Sequence, residues 1–477
     1  MGFPSVFPTS TTIYYPDECY SGFTVYTTSS GDSLLVDMNG NVVKIWQGLD
    51  GFPSRIYPGG YLMASTGRRN PKYGYLDMLD LVQVDWDGNV VWKFSKYDRV
   101  KDGRQKAKWV ARQHHDYQRE GNPVGYYAPG MDPIVGGGST LVLCHKDVAH
   151  KGISEKPILD DTFVEVSWDG KITWEWLCSD HFDELGFDEA ALNTMHRNPN
   201  MVPAGGGIGD YMHMNSMSLV GPNKWYDAGD ERFHPDNVIW DGRQTNIIAI
   251  TDKKSGKIVW RMGPDYQATP ELRAIGQIIG QHHAHIIPKG LPGEGNLLMF
   301  DNGGRAGFGS PNPGSPSGHN NAWRDHSRVL EINPVTLEVV WMYSAAEAGY
   351  APILNDSHFY SILVSSAQRL PNGNTLICEG ANGRLIEVRP DCQTVWEYIA
   401  PYWDRKTKHN QVYRAYRVPY DWVPQLDKPD EIEVPRLDNS KFRVGELGGD
   451  KKPAVTKLRR GGRVTADPNL CVIPPSR

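Results

Sequence analysis

One phrase recurs through this chain and limits what it can fold into: Asp-x-x-Gly-x-Val-x-Trp, or a close variant. It is read in "DMNGNVVKIW" ending at Trp46, "DWDGNVVWKF" around Trp92, "SWDGKITWEW" around Trp174, "DKKSGKIVWRM" around Trp260, "NPVTLEVVWMY" around Trp341 and "RPDCQTVWEY" around Trp396. Each copy is an alternating strand, a short turn carrying Asp, Asn or Gly, and a second alternating strand that closes on an aromatic, which is the pattern of a β-hairpin. A second element lies upstream of several copies, a polar Pro/Gly turn feeding an apolar strand, as in "YPGGYLMAS", "GGGSTLVLCHKD", "LPGEGNLLMFDN" and "LPNGNTLICEG". Together they supply about four strands per repeat, and six such units predict an all-β, six-bladed β-propeller of four-stranded antiparallel blades.

The spacing between successive tryptophans runs from 46 residues (Trp46 to Trp92) to 86 (Trp174 to Trp260). An undecorated propeller repeat needs roughly 40–50, so loop and helical insertions fill the excess. The candidates are "NPKYGYLDML", the Gly/Pro/Ser-rich "RAGFGSPNPGSPSGHNNAWRDHS", and "DHFDELGFDEAALNTMHRNPN", whose pattern makes it the best helix in the chain. Beyond Trp396 the repeat stops and Pro and charge increase, the composition of a surface wrap followed by a flexible basic end. The expected division is a propeller over residues 1–425 and an irregular tail over 426–477.

With 50 Gly, 34 Pro and 15 Trp in 477 residues, tight turns and aromatic packing dominate and long helices are scarce. A net charge of −6 argues against a nucleic-acid or membrane-surface partner, because either calls for a basic face. No charged-then-apolar leader and no apolar run of membrane-spanning length is visible, so the expected compartment is the cytoplasm. The six cysteines show no CxxC spacing and read as buried thiols.

Aligned on the Pro/Gly turns, three histidines hold one register: His115 in "QHHDYQREGN", His213 in "YMHMNSMSLVGP" and His282 in "QHHAHIIPKG" each fall about six residues before the turn, and Ser365 and Ser366 hold that place in the last repeat. Equivalent positions of successive blades form a ring about the central axis, so these side chains are expected to meet in one funnel. Neighbours on a strand point to opposite faces, so only one member of each doublet, His114/His115 and His282/His283, is expected to face the axis. Arg243 in "DGRQTNIIAI" and Arg305 in "DNGGR" follow strands that start at the ring, and a guanidinium fork suits an anionic group. Asp301 and Asn302 read as turn-shaping residues.

"YMHMNSM", "DGRQTNIIAITDKKSGKIVW", "QHHAHI…NLLMFDNGGR" and "FYSILVSSAQRLPNGNTLICEGANGRLIEVRPDCQTVWEY" resemble the bacterial arylsulfate sulfotransferases, six-bladed propeller enzymes that use no nucleotide donor. The resemblance covers roughly residues 10 to 425. It implies transfer of a sulfuryl group between phenols through a sulfohistidine, with His282 as nucleophile and His213, His115 and Arg243 as its catalytic partners, and with a small aromatic molecule as substrate, the oligomeric state being open. Such chemistry calls for a nucleophile, cations for the sulfuryl oxygens and a proton source for the leaving phenolate. Arg305, His114, His283 and His358 are expected to contact substrate. No cofactor is required, and no phosphate-binding G-x-x-x-x-G-K-[ST] loop is present.

Two departures stand against that pattern. Secreted members carry an export signal and an extra N-terminal β domain, neither visible here. Histidines also exceed what a sulfohistidine needs: His114, His145, His283, His285 and His358 are additional. His283 and His285, two apart on a strand, share a face and could serve one Zn²⁺, Cu²⁺ or Fe²⁺ ion. The alternative reading is therefore a metal-dependent lyase, hydrolase or oxidative enzyme in the same funnel, and a second alternative is a non-catalytic ligand-binding propeller.

Overall fold

The computed structural model describes residues 8–70, 76–201, 209–404, 406 and 408–438. Six antiparallel sheets, five of four strands and one of five, form the blades of a β-propeller. Blade 2 runs Asp50–Tyr57, Tyr61–Ser65, Leu81–Val84, Val90–Phe94; blade 3, Gln113–Arg119, Thr140–Val148, Ile158–Val166, Ile172–Leu177; blade 4, Met214–Leu219, Val238–Gly242, Ile247–Thr251, Ile258–Met262. Blade 5 runs His282–Ile286, Leu297–Asp301, Arg328–Ile332, Val339–Tyr343, and blade 6, Ser366–Arg369, Thr375–Glu379, Arg384–Val388, Thr394–Ile399. The first-named strand of each is innermost, and these strands pack against one another in sequence around the ring.

Blade 1 closes the ring. Its outer three strands, Phe23–Thr27, Ser33–Val36 and Val42–Trp46, come from the start of the chain, while its innermost strand is Ala415–Val418. Ser10–Tyr14 adds a fifth, outermost strand to blade 6. Composition alone reads the segment after Trp396 as a surface wrap; in the structure Ala415–Val418 is buried and central. Trp403, Lys406 and Lys408 before it are exposed, Trp422 and Val423 after it are buried, and Cys471 and most of the 426–477 tail lie outside the described residues.

The recurring phrase has a physical role at each position. Its Asp accepts hydrogen bonds from the far side of the turn, as Asp37 does from Asn41 N (2.8 Å) and Asp85 from Asn89 N (2.8 Å), with Asn333 serving Thr336 N (3.1 Å) in blade 5. Its Gly takes a left-handed φ, +82° at Gly40, +89° at Gly88, +83° at Gly170 and +74° at Gly256. Blades 5 and 6 force Leu337 (+61°) and Cys392 (+67°) into the same conformation. The tryptophan latches one blade to the next by donating its indole N–H to a carbonyl there: Trp92 to Trp168 (3.0 Å), Trp260 to Pro334 (2.8 Å), Trp341 to Pro390 (3.0 Å) and Trp396 to Met38 (2.8 Å). In blade 3 the latch is Trp176, which donates to Gly256 (2.8 Å), while Trp174 is half-exposed.

The insertions lie at the blade edges. The expected helix forms over Glu189–Arg197, capped by Asp188, whose carboxylate accepts from Ala191 N at 2.7 Å. The Gly/Pro/Ser-rich insertion of blade 5 folds into a small ribbon, Ala306–Phe308 with His319–Ala322. The insertion beginning at Asn70 falls partly outside the described residues. Among the described residues Cys19, Cys144, Cys178, Cys378 and Cys392 are free thiols, and no helix is long and apolar enough to cross a membrane.

Candidate active site

The innermost strands of blades 3, 4 and 5 do not enter the ring as regular strands. Each passes through a bulge, where the pairing register shifts between Gln113 and Tyr117, Met214 and Ser216, and His282 and His285. At or beside each bulge a histidine takes a left-handed backbone: His115 (φ +54°), His213 (+49°) and His283 (+58°), with Ser365 (+94°) at the corresponding entry to blade 6. Such conformations cost a non-glycine residue on the order of 1–3 kcal/mol and cluster where a side chain has to be aimed.

The bulges bring His115 and His213 into contact, ring centroids 4.7 Å apart and nearly perpendicular. His282 lies within electrostatic reach of both, and Arg243 of His282. These four, predicted as the catalytic set, form one cluster at the centre of the propeller. Phe52 from blade 2 and Tyr413 from the closing segment pack on His115 at 4.4 and 5.8 Å. Both also line a cleft of about 450 Å³ that opens outward past Arg68, Thr28 and Gln411. Tyr413 ties the blades by donating its hydroxyl to the carbonyls of His115 (3.0 Å) and Asn215 (3.2 Å).

Proton positions follow from the hydrogen-bond network. Asn302 donates its amide to the carbonyls of Ser361 (2.7 Å) and Val364 (2.9 Å), so its oxygen must face His282. His282 Nδ1 then sits between two acceptors, Asn302 Oδ1 (2.7 Å) and the Gly280 carbonyl (3.0 Å), and carries the hydrogen. The Nε2 lone pair of His282 is left bare. Burial above all, then the Arg243 guanidinium, holds this imidazole well below its usual range, so it is neutral at neutral pH.

His213 donates Nδ1–H to Asp210 Oδ2 at 2.6 Å. Burial acts to raise the Asp210 carboxyl, but His213 with His145 and His114 draws it down to about 2, so it is an anion beside that ring. Burial followed by the neighbouring His213 and His114 pushes His115 well down. Arg243 donates to Gln244 Oε1 at 3.2 Å and has no carboxylate within ion-pair distance among the described residues. Burial lowers it to about 10, which still leaves a cation with its charge unspent.

The other predicted residues fall elsewhere. His114 points out of the cluster into blade 3, stacked on His145 at 3.5 Å, though its Nδ1 still meets His115 Nδ1 at 2.8 Å. Alternation therefore separates His114 from His115 as expected. It fails at His283, where the left-handed residue turns the ring inward beside Arg414 and Tyr416. His283 and His285 do share a face, rings 4.5 Å apart, and three of their four ring nitrogens are engaged in hydrogen bonds. His285 Nδ1 donates to the His283 carbonyl (2.8 Å), its Nε2 meets the Tyr126 hydroxyl (2.9 Å), and His283 Nδ1 donates to the Ala367 carbonyl (2.9 Å).

Arg305 is exposed, next in chain to Gly304, whose carbonyl borders Gly280 at the rim of the His282 segment. His358 is not brought to the funnel. It sits in an exposed turn, Asp356–His358, with its ring on Tyr350 (4.6 Å), because the chain between blades 5 and 6 passes over the surface there.

Sequence reasoning overlooked Asp210, Phe52 and Tyr413 and read Asn302 only as a turn-shaping residue. Two had a visible signal: Asp210 stands three residues before His213, and Asn302 follows the strand paired to that of His282. Phe52 and Tyr413 had none, since neither belongs to a repeat carrying a histidine.

A family model described as arylsulfotransferase (ASST) matches residues 135–414. No curated protein matches the sequence. Among solved structures, the chain is similar to a protein of unknown function from Bacteroides caccae, at 10% identity and TM-score 0.44 over 84% of this chain and 99% of that one. It is also similar to virginiamycin B lyase from Staphylococcus aureus, at 9% identity and TM-score 0.34 over 80% and 85%, and to the Dos1 propeller, at 10% and 0.32 over 84% and 74%.

Proposed function

The chain belongs to the arylsulfotransferase family, and on that premise we propose that it moves a sulfuryl group from an aryl sulfate to a phenolic acceptor through a covalent adduct on His282. The observation that carries this reading is the bare Nε2 of a neutral His282 whose Nδ1–H is held by Asn302 and Gly280. A neutral imidazole with its lone pair directed into a funnel is the nucleophile that sulfuryl transfer needs.

In the first half-reaction His282 Nε2 attacks sulfur, the N–S bond forms, and the S–O bond to the aryl group breaks. The phenolate leaves with a proton from His213, whose ring is oriented by its Nδ1 contact to Asp210, an arrangement of acid and orienting carboxylate. Arg243 neutralises charge on the non-bridging oxygens, as cations do in phosphoryl transfer. In the second half an acceptor phenol gives its proton to His213, its oxygen attacks sulfur, and His282 is released. Phe52 and Tyr413, beside His115 and on the wall of the outer cleft, supply aromatic faces for the ring of the donor or acceptor.

The test is intact-mass measurement after mixing the protein with a chromogenic aryl sulfate and no acceptor. One sulfuryl group on the wild type and none on His282→Ala is the expected result. Turnover by wild type without any adduct sinks the covalent route, and an adduct on His282→Ala sinks the choice of nucleophile.

A further inference from the structure

Outside the cluster of His115, His213 and His282, blade 3 holds three side chains whose polar atoms face one another. His114 Nε2, His145 Nε2 and Asp161 Oδ1 are buried and lack hydrogen-bond partners among the described residues. The Asp161 oxygen stands 3.2 Å from His114 Nε2, without the alignment of a hydrogen bond, and 3.7 Å from His145 Nε2, too far for one. All three atoms lie within 4.8 Å of one another. Burying such groups unpaired costs on the order of 1–3 kcal/mol each, and no Arg or Lys reaches Asp161 within ion-pair distance among the described residues.

The geometry points to a divalent transition-metal site, Zn²⁺ by the chemistry of its donors, ligated by His114 Nε2, His145 Nε2 and Asp161 Oδ1. Two imidazoles and one carboxylate form a borderline donor set typical of Zn²⁺ or Fe²⁺. The surroundings are those of a ligand shell. His145 Nδ1–H is held by the Asp77 carboxylate, which Arg112 (2.9 Å) and Arg69 (3.1 Å) fix in turn. A carboxylate on the far nitrogen of a metal-bound histidine orients the ring and raises its basicity. Asp161 Oδ2 accepts from Met214 N (3.2 Å), so the carboxylate is anchored to blade 4. The two rings are stacked, 12° between planes; ligation at about 2.0–2.1 Å would splay them apart at the Asp161 edge.

The ion does no chemistry on substrate in this proposal. With His114 Nε2 on the metal, its Nδ1 carries the hydrogen and donates to His115 Nδ1, 2.8 Å away. That makes His115 an Nε2–H donor toward the cluster, so the metal selects the tautomer of a residue beside the reacting sulfuryl group. This last link rests on the sulfuryl-transfer reading; the metal site does not.

The experiment measures metal in the full chain with no donor present. Protein produced with Zn²⁺ and freed of loose metal by dialysis is expected to retain one equivalent by elemental analysis. Asp161→Asn and His145→Gln are expected to lower it at least tenfold, and His285→Gln to leave it unchanged. Retention in the first two with loss in His285→Gln overturns the assignment. Should the first two fail to fold, wild type stripped with chelator and titrated with Co²⁺ is read instead. Ligand-field bands that saturate at one equivalent and vanish on adding Zn²⁺ support the site, and their absence, like metal-free wild type, overturns it. Because no aryl sulfate enters these measurements, failure of the metal site and failure of sulfuryl transfer are read separately.

Discussion

An imidazole attacks only through a nitrogen without a proton, and under the proposed reaction the Asn302 amide sets which nitrogen of His282 that is. Asn302 is locked by two carbonyls and offers only an acceptor to His282. Asn302→Leu removes that choice, and the sulfation step is expected to slow by about 10–100-fold in single-turnover measurements with little change in donor binding. The His282 pKa is depressed, so protonation of the nucleophile falls below the ordinary histidine value of about 6.5 rather than at it. The sign is fixed: falling pH converts nucleophile to imidazolium, and the rate of adduct formation should hold through pH 6.5 and fail only further into acid. A limb centred at or above 6.5 in wild type would contradict the burial of this ring. Asn302→Asp reverses the sign, because a carboxylate beside Nδ1–H favours the charged ring, and its acid limb should move to higher pH. At this scale the sequence was legible in residue type and register, and illegible in direction. The register of His115, His213 and His282 follows from the repeat, but their aim depends on bulges and left-handed residues that no periodicity records.

The turn of each hairpin isolates one backbone term. Gly170 sits at φ +83° with open space where a Cβ would project. Gly170→Ala therefore meets no clash, and the expected loss is the left-handed penalty alone, about 1–2 kcal/mol, read from denaturant midpoints at unchanged slope. Cys392 holds the corresponding turn of blade 6 at +67° without glycine's freedom. Cys392→Gly is expected to shift stability the other way by up to about 1 kcal/mol. The same repeat explains why the blades could be read directly: Asp or Asn, Gly and Trp recur at turn, backbone and latch, with Leu337 and Cys392 standing in for Gly in blades 5 and 6. Ala415–Val418 carries none of these marks, being an inner strand whose hairpin partner is almost 400 residues away in sequence at Phe23–Thr27. Sequence pattern is local, and that pairing is not. His283 shows the same limit, since a single left-handed residue moved it to the face that alternation denied it.

Across the whole molecule the blades are held at the axis by charge as well as by packing. Asp116 of blade 3 takes Arg55 of blade 2 on one oxygen (2.7 Å) and Arg414 of the closing segment on the other (2.8 Å), and that second oxygen also accepts from Met217 N of blade 4 (3.1 Å). All three side chains are essentially inaccessible. Breaking such a buried set by removing one member costs about 3–5 kcal/mol. Asp116→Ala, which leaves two guanidinium groups facing each other, should lower the unfolding free energy by that amount and loosen four blades together, seen as a single shifted transition. The ring closure has a temporal side. His115, His213 and His282 all leave the ribosome well before Ala415–Val418, so a nascent chain holds its reactive imidazoles in an unclosed arc. Tyr413 and Arg414 arrive last and are the residues that clamp the Asn215 carbonyl, with Tyr413 also on that of His115. A chain released by early termination before them keeps its histidines but lacks the clamp that ties their strands together.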